Sequence, residues 1–183
     1  MKTEHKFALT LKTMMSEKAL DDISVSALTK RCKVNRQTFY YYFHDIYDLL
    51  TLVFLDEDIE GIYDVKNFKE MVTCIYEYYE KNQKFIDATL ESAGKDLFSE
   101  FVYNACYIST IRFIEKSSKD KNVSPNGKKE LARFYASAFS NSIIYYIANY
   151  NQKSLKGLLK TFQFLNDDVL EVGLSNIIFN KYR

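Results

Sequence analysis

Three capping residues frame the N-terminal part of this chain. Ser24, Asn35 and Asp45 each carry a side-chain oxygen that accepts from an orphan N–H one turn further on, so each opens a helix. The helices they delimit are short. One follows Ser24 as far as about Cys32, and one runs from about Arg36 to Tyr42. Lys33-Val34-Asn35 is the tight turn between them. Val25, Leu28 and Cys32 give the earlier helix an apolar edge. Phe39 and Phe43, four residues apart, share one face of the later one. Its opposite face presents Arg36, Gln37, Thr38, Tyr41 and Tyr42.

The surrounding sequence completes a small head. Phe7, Leu11, Met14, Met15 and Ala19 recur at helical spacing, which predicts a first helix over about Thr3–Ala19. Its stripe closes a three-helix core with Phe39 and Phe43, and Asp21-Asp22 end it. Asp45 opens a fourth helix, with Asp48 where a capping box usually carries Glu. Leu49, Leu50, Val53 and Phe54 form that helix's buried stripe. The acids Asp56, Glu57, Asp58 and Glu60 end it near Gly61.

Beyond residue 60 the sequence is helical by elimination as well as by pattern. With 5 Gly and 1 Pro there are few obligatory turns, which favours long helices over many short strands. A helical period runs from about Asn67 to Lys81, and a short helix holds Phe85 and Ile86. A long helix follows over about Lys95–Lys116, with Leu97, Phe101, Ala105, Ile108 and Ile111 along it. A polar loop at 117–129 precedes a helix over about Lys128–Tyr150 that is almost free of charge after Arg133. A last helix spans about Ser154–Asn180, with a break near Asn166-Asp167-Asp168. The fold class is all-α: an N-terminal three-helix helix-turn-helix head over residues 1–50, a connecting helix at about 45–60, and a C-terminal helical-bundle body over 51–183.

Charge points to a partner for the head. The whole chain carries only +1, and acidic residues slightly outnumber basic ones in the first 60. Between Ser24 and His44, however, there are Lys30, Arg31, Lys33 and Arg36 and no carboxylate, so this segment is locally about +4. Phosphate contacts supply affinity and register, and base-edge contacts supply sequence information. A helix-turn-helix inserts the first residues of its second helix into the major groove of double-stranded DNA. Arg36 suits guanine, Gln37 suits adenine, and Thr38 suits either a base or a phosphate. Tyr40 and Tyr42 offer hydroxyls for phosphate oxygens, and Tyr41 is the third member of that run. Lys2, Lys6 and Lys12, off the first helix's stripe, are further candidates for phosphates.

Val34–Leu50, VNRQTFYYYFHDIYDLL, resembles the TetR/AcrR family of bacterial transcription regulators. That family's recognition helix ends T-[LF]-Y-x-[HY]-F, matched here by Thr38, Phe39, Tyr40, Tyr42 and Phe43. Ile23-Ser24-Val25 and Leu28 match the opening of the helix before it. The wording looks most like the subgroup that includes activators of dihydroxyacetone kinase operons. The resemblance implies a homodimer built from the last two helices of each chain, a palindromic operator, and control by a small-molecule effector or a co-regulator protein at the body. It places Gln37, Thr38 and Tyr42 towards the groove, Tyr40 on a phosphate, and Ser24 at the DNA-facing start of the second helix. The family usually has Gly where this chain has Lys33, and a left-handed non-Gly residue there costs about 1 kcal/mol. It often has Lys just after the fourth helix's cap, where this chain has Ile46.

The body is aromatic-rich, and Tyr76, Tyr79, Phe101, Tyr107 and Phe139 are the candidates for lining an effector pocket. Aromatics at helical spacing also build plain cores. Cys32, Cys74 and Cys106 are odd in number and widely spaced, which supports neither a disulfide framework nor a metal site. There is no nucleophile–base pairing or phosphate loop, so neither an enzyme nor a cofactor is expected. No signal-peptide pattern and no span-length apolar run are present, and a cytoplasmic protein without membrane contact is expected. The rival to a regulator is a helical adaptor that keeps the head as a fold and binds a protein or lipid through its aromatic body.

Overall fold

A computed structural model describes residues 2–118, 123–163 and 172–175. Every regular element among them is helical: α1 Thr3–Met15, α2 Val25–Arg31, α3 Arg36–Tyr42, α4 Ile46–Asp56, α5 Phe68–Lys81, α6 Gln83–Leu90, α7 Lys95–Ser117, α8 Pro125–Asn149 and α9 Leu155–Thr161. A short 3-10 turn at Leu20–Asp22 lies between α1 and α2. The fold is all-α, as the sequence predicts.

The caps act as predicted. Ser24 Oγ accepts from Ala27 N–H at 3.1 Å, Asn35 Oδ1 from Thr38 N–H at 2.8 Å, and Asp45 Oδ1 from Asp48 N–H at 2.9 Å. Asp48 Oδ2 reaches back to His44 N–H at 3.1 Å. That is a capping box displaced by one residue, because the usual return bond goes to the cap residue's own N–H. Each cap satisfies a donor that the helix cannot, a contribution of about 1 kcal/mol.

Packing divides the chain into two compact units, Met1–Asp58 with Tyr79–Phe101, and Ile59–Tyr78 with Val102–Arg183. The segment Tyr79–Phe101 thus groups with the head. In the first unit α1 packs on α2, α4 and α6. Its centre is aromatic: Phe7 meets Phe39 edge-on at 5.5 Å and Phe43 at 6.0 Å, so the predicted three-helix core is present. Such pairs contribute about 0.5–1.5 kcal/mol beyond the area they bury. A further cluster joins Phe54 to Phe85, Phe98 and Phe101 at 5.4, 6.0 and 5.5 Å. The first helix is shorter than its apolar pattern: α1 stops at Met15, and buried Leu20 on the 3-10 turn continues the core instead of the exposed Ala19.

In the second unit Phe113, Ile114, Val123, Ala132 and Leu174 form a core, with Tyr107, Leu131 and Tyr135 against it. The inward face of α7 matches the predicted stripe only at Ala105. Phe98, Val102, Ala105, Cys106, Ser109, Thr110, Phe113 and Ile114 are buried, whereas Leu97, Phe101, Ile108 and Ile111 are only half-buried. Apolar side chains occur all round this helix, so period alone does not select a face, and Ser109 is tolerated inside because its hydroxyl donates to Ile62 O at 3.3 Å.

The helix after the polar loop also starts earlier than predicted. Ser124 caps it, accepting from Gly127 N–H at 3.0 Å, and Pro125 occupies the first turn, where its fixed φ favours a helix and its missing N–H costs nothing. Tyr146 holds α9 to α8: its hydroxyl donates to Ser154 O and accepts from Ser154 N–H, both at 3.2 Å. Gly157 leaves room for this contact, since a Cβ there would meet the Tyr146 hydroxyl and force it to shift. Of the predicted last helix, residues 164–171 and 176–180 lie outside the described residues. Among the described residues no helix is long and apolar enough to cross a membrane.

Candidate nucleic-acid interface

The helix-turn-helix exposes the face that the sequence marks. Phe39 and Phe43 are buried, and they turn the rest of α3 outward. Ser24, Lys33, Arg36 and Gln37 are exposed and Thr38 is half-buried. Tyr40, Tyr41 and Tyr42 are 51%, 81% and 36% exposed, so none of the three is a core residue. All eight predicted DNA-contact residues are therefore at or near the surface of α2, the turn and α3.

Their side chains are not independent of one another. The Arg36 guanidinium lies 5.9 Å from the Tyr40 ring centroid and donates to its hydroxyl at 3.4 Å. A cation over an aromatic face at an exposed site contributes about 0.5–1 kcal/mol. Tyr40 in turn rests edge-on against Phe39 at 5.4 Å, and Tyr42 lies 6.2 Å from Phe43. The buried phenylalanines thus position the tyrosines that flank them. Thr38 donates its hydroxyl proton to Asn35 Oδ1 at 2.9 Å. What remains at Thr38 Oγ1 is acceptor capacity, which suits a base-edge amino group better than a phosphate.

Lys33 has φ of +55°, so the turn is left-handed where the resembling family usually has Gly. The strain is about 1 kcal/mol. It is retained at a position where the side chain is exposed and cationic.

The local charge is smaller than the sequence suggests. Arg31 is bidentate to Glu17, with nitrogen–oxygen distances of 2.6 and 2.7 Å. That hydrogen bond holds the Glu17 carboxyl below its ordinary range. Lys30, Lys33 and Arg36 have no carboxylate partner among the described residues. Linear sequence missed this neutralisation because Glu17 follows α1 and reaches α2 only through the tertiary fold. Lys12 is likewise committed elsewhere. It pairs with Glu57 at 2.6 Å, half-buried and 5.4 Å from the Phe85 ring, which removes it from the phosphate candidates.

The aromatic candidates in the body fall in different settings. Tyr79 is fully buried in the first unit and donates to Asp87 Oδ1 at 3.2 Å. Phe101 belongs to the Phe54 cluster of that unit. In the second unit Tyr76 is buried, and Tyr107 packs on the Phe113–Ile114 core. Phe139 differs from these, because it lines a half-open cleft of about 920 Å³. Cys106 is sealed, and burial pushes its thiol far up. Burial, then Glu77 and Glu70, also raise the half-buried Cys74. Neither is an activated nucleophile. No group of three metal-binding side chains occurs among the described residues.

Known proteins match this geometry. The family model for bacterial regulatory proteins of the tetR family matches residues 12–53. A TetR-type model described as a transcriptional regulator C-terminal region matches residues 66–168. The chain is 31% identical over 86 residues to the HTH-type dhaKLM operon transcriptional activator DhaS of Lactococcus lactis subsp. lactis (strain IL1403). That alignment covers 45% of this chain and 46% of the relative, so the match spans about half the length of each. The solved structure of a dihydroxyacetone kinase operon activator DhaS is similar at a TM-score of 0.61 and 23% identity, over 96% of both chains, a likeness of fold.

Proposed function

The chain belongs to the TetR family of bacterial transcriptional regulators, with a helix-turn-helix DNA-binding head, and on that premise we propose that it acts as a cytoplasmic homodimer on a palindromic operator. Residues 1–50 form the reading head. Arg36, Gln37 and Thr38 face base edges, while Ser24, Lys33, Tyr40, Tyr41 and Tyr42 engage the backbone around them. The observation that carries this is the outward face of the turn and α3: three exposed tyrosines set on a buried Phe39–Phe43 pair, beside Lys33 and Arg36, which have no carboxylate partner among the described residues.

The body sets the affinity. An effector or partner protein that favours one spacing of the two recognition helices shifts the population towards or away from the DNA-competent form, by no more than its differential binding energy. Half-sites then lie about one DNA turn apart, about 34–36 Å. A charge-free exposed face on α8, with Phe134 68% and Tyr145 64% exposed, supports self-association there. The DhaS proteins are named as activators, which supports activation as the direction of control.

The test is fluorescence anisotropy on DNA upstream of the chain's own coding sequence. Wild type is expected to bind that DNA at least a hundredfold tighter than scrambled DNA at equal salt, and Arg36→Ala is expected to lose most of the difference. Equal affinity for both DNAs would exclude operator recognition.

A further inference from the structure

We propose that the cleft formed by α5, α8 and α9 in the second unit binds a small amphipathic carboxylate, of the kind represented by a medium-chain fatty-acid anion. This deepens the regulatory function proposed above and rests on it, by naming the chemistry of the effector.

The cleft's volume, about 920 Å³, lies within the range of small-molecule sites, about 300–1,000 Å³. Its floor is aromatic. Phe68 stacks on Phe139 with ring centroids 4.4 Å apart, and Phe162 lies 5.1 Å from Phe139. Leu155 and Leu159 of α9 extend the apolar wall. The other side of the chemistry is cationic. Lys69 comes from α5, and Lys156 and Lys160 come from one face of α9, four residues apart. Among the described residues no acidic side chain lines the cleft, and the three lysines have no carboxylate partner there.

These two features together select a ligand class. Three exposed lysines along one cleft disfavour a cation there and favour an anion. Lysine stems lie along apolar surface and leave their heads in water, so the charge is offered at the mouth and not on the floor. Among the described lining residues the Gln163 amide is the one neutral hydrogen-bonding side chain, and the aromatic and leucine side chains reward an alkyl or aryl body. A ligand with an apolar tail and one terminal carboxylate matches both halves.

The cleft is also placed to report occupancy. Its α9 wall is fixed to α8 through the Tyr146 hydroxyl on Ser154, and α8 carries the charge-free face assigned above to self-association. A ligand bridging Lys69 of α5 to Lys156 and Lys160 of α9 ties together two elements that α6, α7 and α8 separate along the chain.

The experiment is isothermal titration calorimetry on the full chain at low ionic strength, with decanoate, decanol and decyltrimethylammonium as probes. Decanoate is expected to bind at least tenfold tighter than decanol, and decyltrimethylammonium not at all. Octanoate should bind about fifteenfold more weakly than decanoate, since it lacks two methylenes and each buried one is worth about fourfold. The triple variant Lys69→Gln, Lys156→Gln, Lys160→Gln should reduce decanoate to the level of decanol, with decanol binding and the thermal midpoint unchanged to show that the fold is intact. Leu159→Gln should weaken decanoate and decanol alike. Equal affinity for decanoate and decanol, full binding by the triple variant, or no binding of any probe would each overturn the assignment. The two proposals fail separately. Lysine-dependent decanoate binding that leaves operator affinity unchanged keeps the site and removes its regulatory role. Intact operator binding with no decanoate heat keeps the regulator and removes the site.

Discussion

Helices α3 and α8 both put aromatic side chains into solvent, and they do so against different electrostatic backgrounds. On α3, Tyr40, Tyr41 and Tyr42 stand beside Arg36, and Lys33 sits in the turn before it. On α8, Phe134 and Tyr145 flank a face of Ser, Ala and Asn that carries no charge after Arg133. A hydroxylated ring next to unpaired cations fits a polyanion, with the ring touching sugar and the hydroxyl touching phosphate. An exposed ring on a neutral face of small residues fits a second protein surface, since interface cores are depleted in charge and enriched in aromatics. Exposure alone would have treated the two helices alike. Neighbouring charge separates them.

The largest effect falls on what lies beneath α3. Phe39→Ala should cost about 3–5 kcal/mol in urea unfolding, because it removes a buried ring that touches both Phe7 and Phe43. Tyr41→Ala, two positions along the same helix, should stay within about 0.5 kcal/mol. Comparable losses at both positions would mean that α3 has no free outward face. Next comes the exchange of roles between the helices. Tyr42→Ala should weaken operator binding by about 1.5–3 kcal/mol, the range for a hydrogen bond to a charged phosphate, and leave the sedimentation coefficient alone. Tyr145→Ala should weaken self-association by about 2 kcal/mol in analytical ultracentrifugation. The contrast breaks if each variant shows the other's phenotype.

Asn35→Ala should cost about 1 kcal/mol of stability, since one oxygen caps α3 and also holds the Thr38 hydroxyl. The smallest effects have opposite signs in the salt dependence of DNA binding. Lys33→Gly relieves a left-handed strain of about 1 kcal/mol and removes a cation, so the logarithmic salt slope should fall by about one while stability does not drop. Glu17→Gln releases Arg31 towards phosphate, and the slope should rise by about one. Acid should act in the same direction. The Glu17 carboxyl is held low by Arg31, so the pair persists above the ordinary carboxylate range and is lost as pH falls below it.

The head was legible in the sequence because its determinants are local. Ser24, Asn35 and Asp45 act on N–H groups three residues away, and Phe39 and Phe43 declare one face by their spacing. Lys33 was legible only as a conditional statement about the turn, and the φ of +55° settles it. The pairing of Arg31 with Glu17 was not legible, because it joins residues fourteen apart through the packing of α1 on α2. The body resisted for a related reason. Helix α7 has apolar side chains on every side, so its inward face is chosen by neighbours and not by its own period. The cleft at Phe139 is assembled from α5, α8 and α9, and no single stretch announces it. Lysines 69, 156 and 160 look like ordinary solvated charges until the fold gathers them at one opening.

The central claim is that the tyrosine face of α3, and not the aromatic face of α8, meets DNA. Hydroxyl-radical footprinting of the side chains tests it most directly, on the full chain with and without DNA from upstream of its coding sequence, read by mass spectrometry at each tyrosine. Saturating DNA is expected to suppress oxidation of Tyr40, Tyr41 and Tyr42 and leave Tyr145 unchanged. Undiminished labelling at 40–42, or new protection at Tyr145, would contradict it.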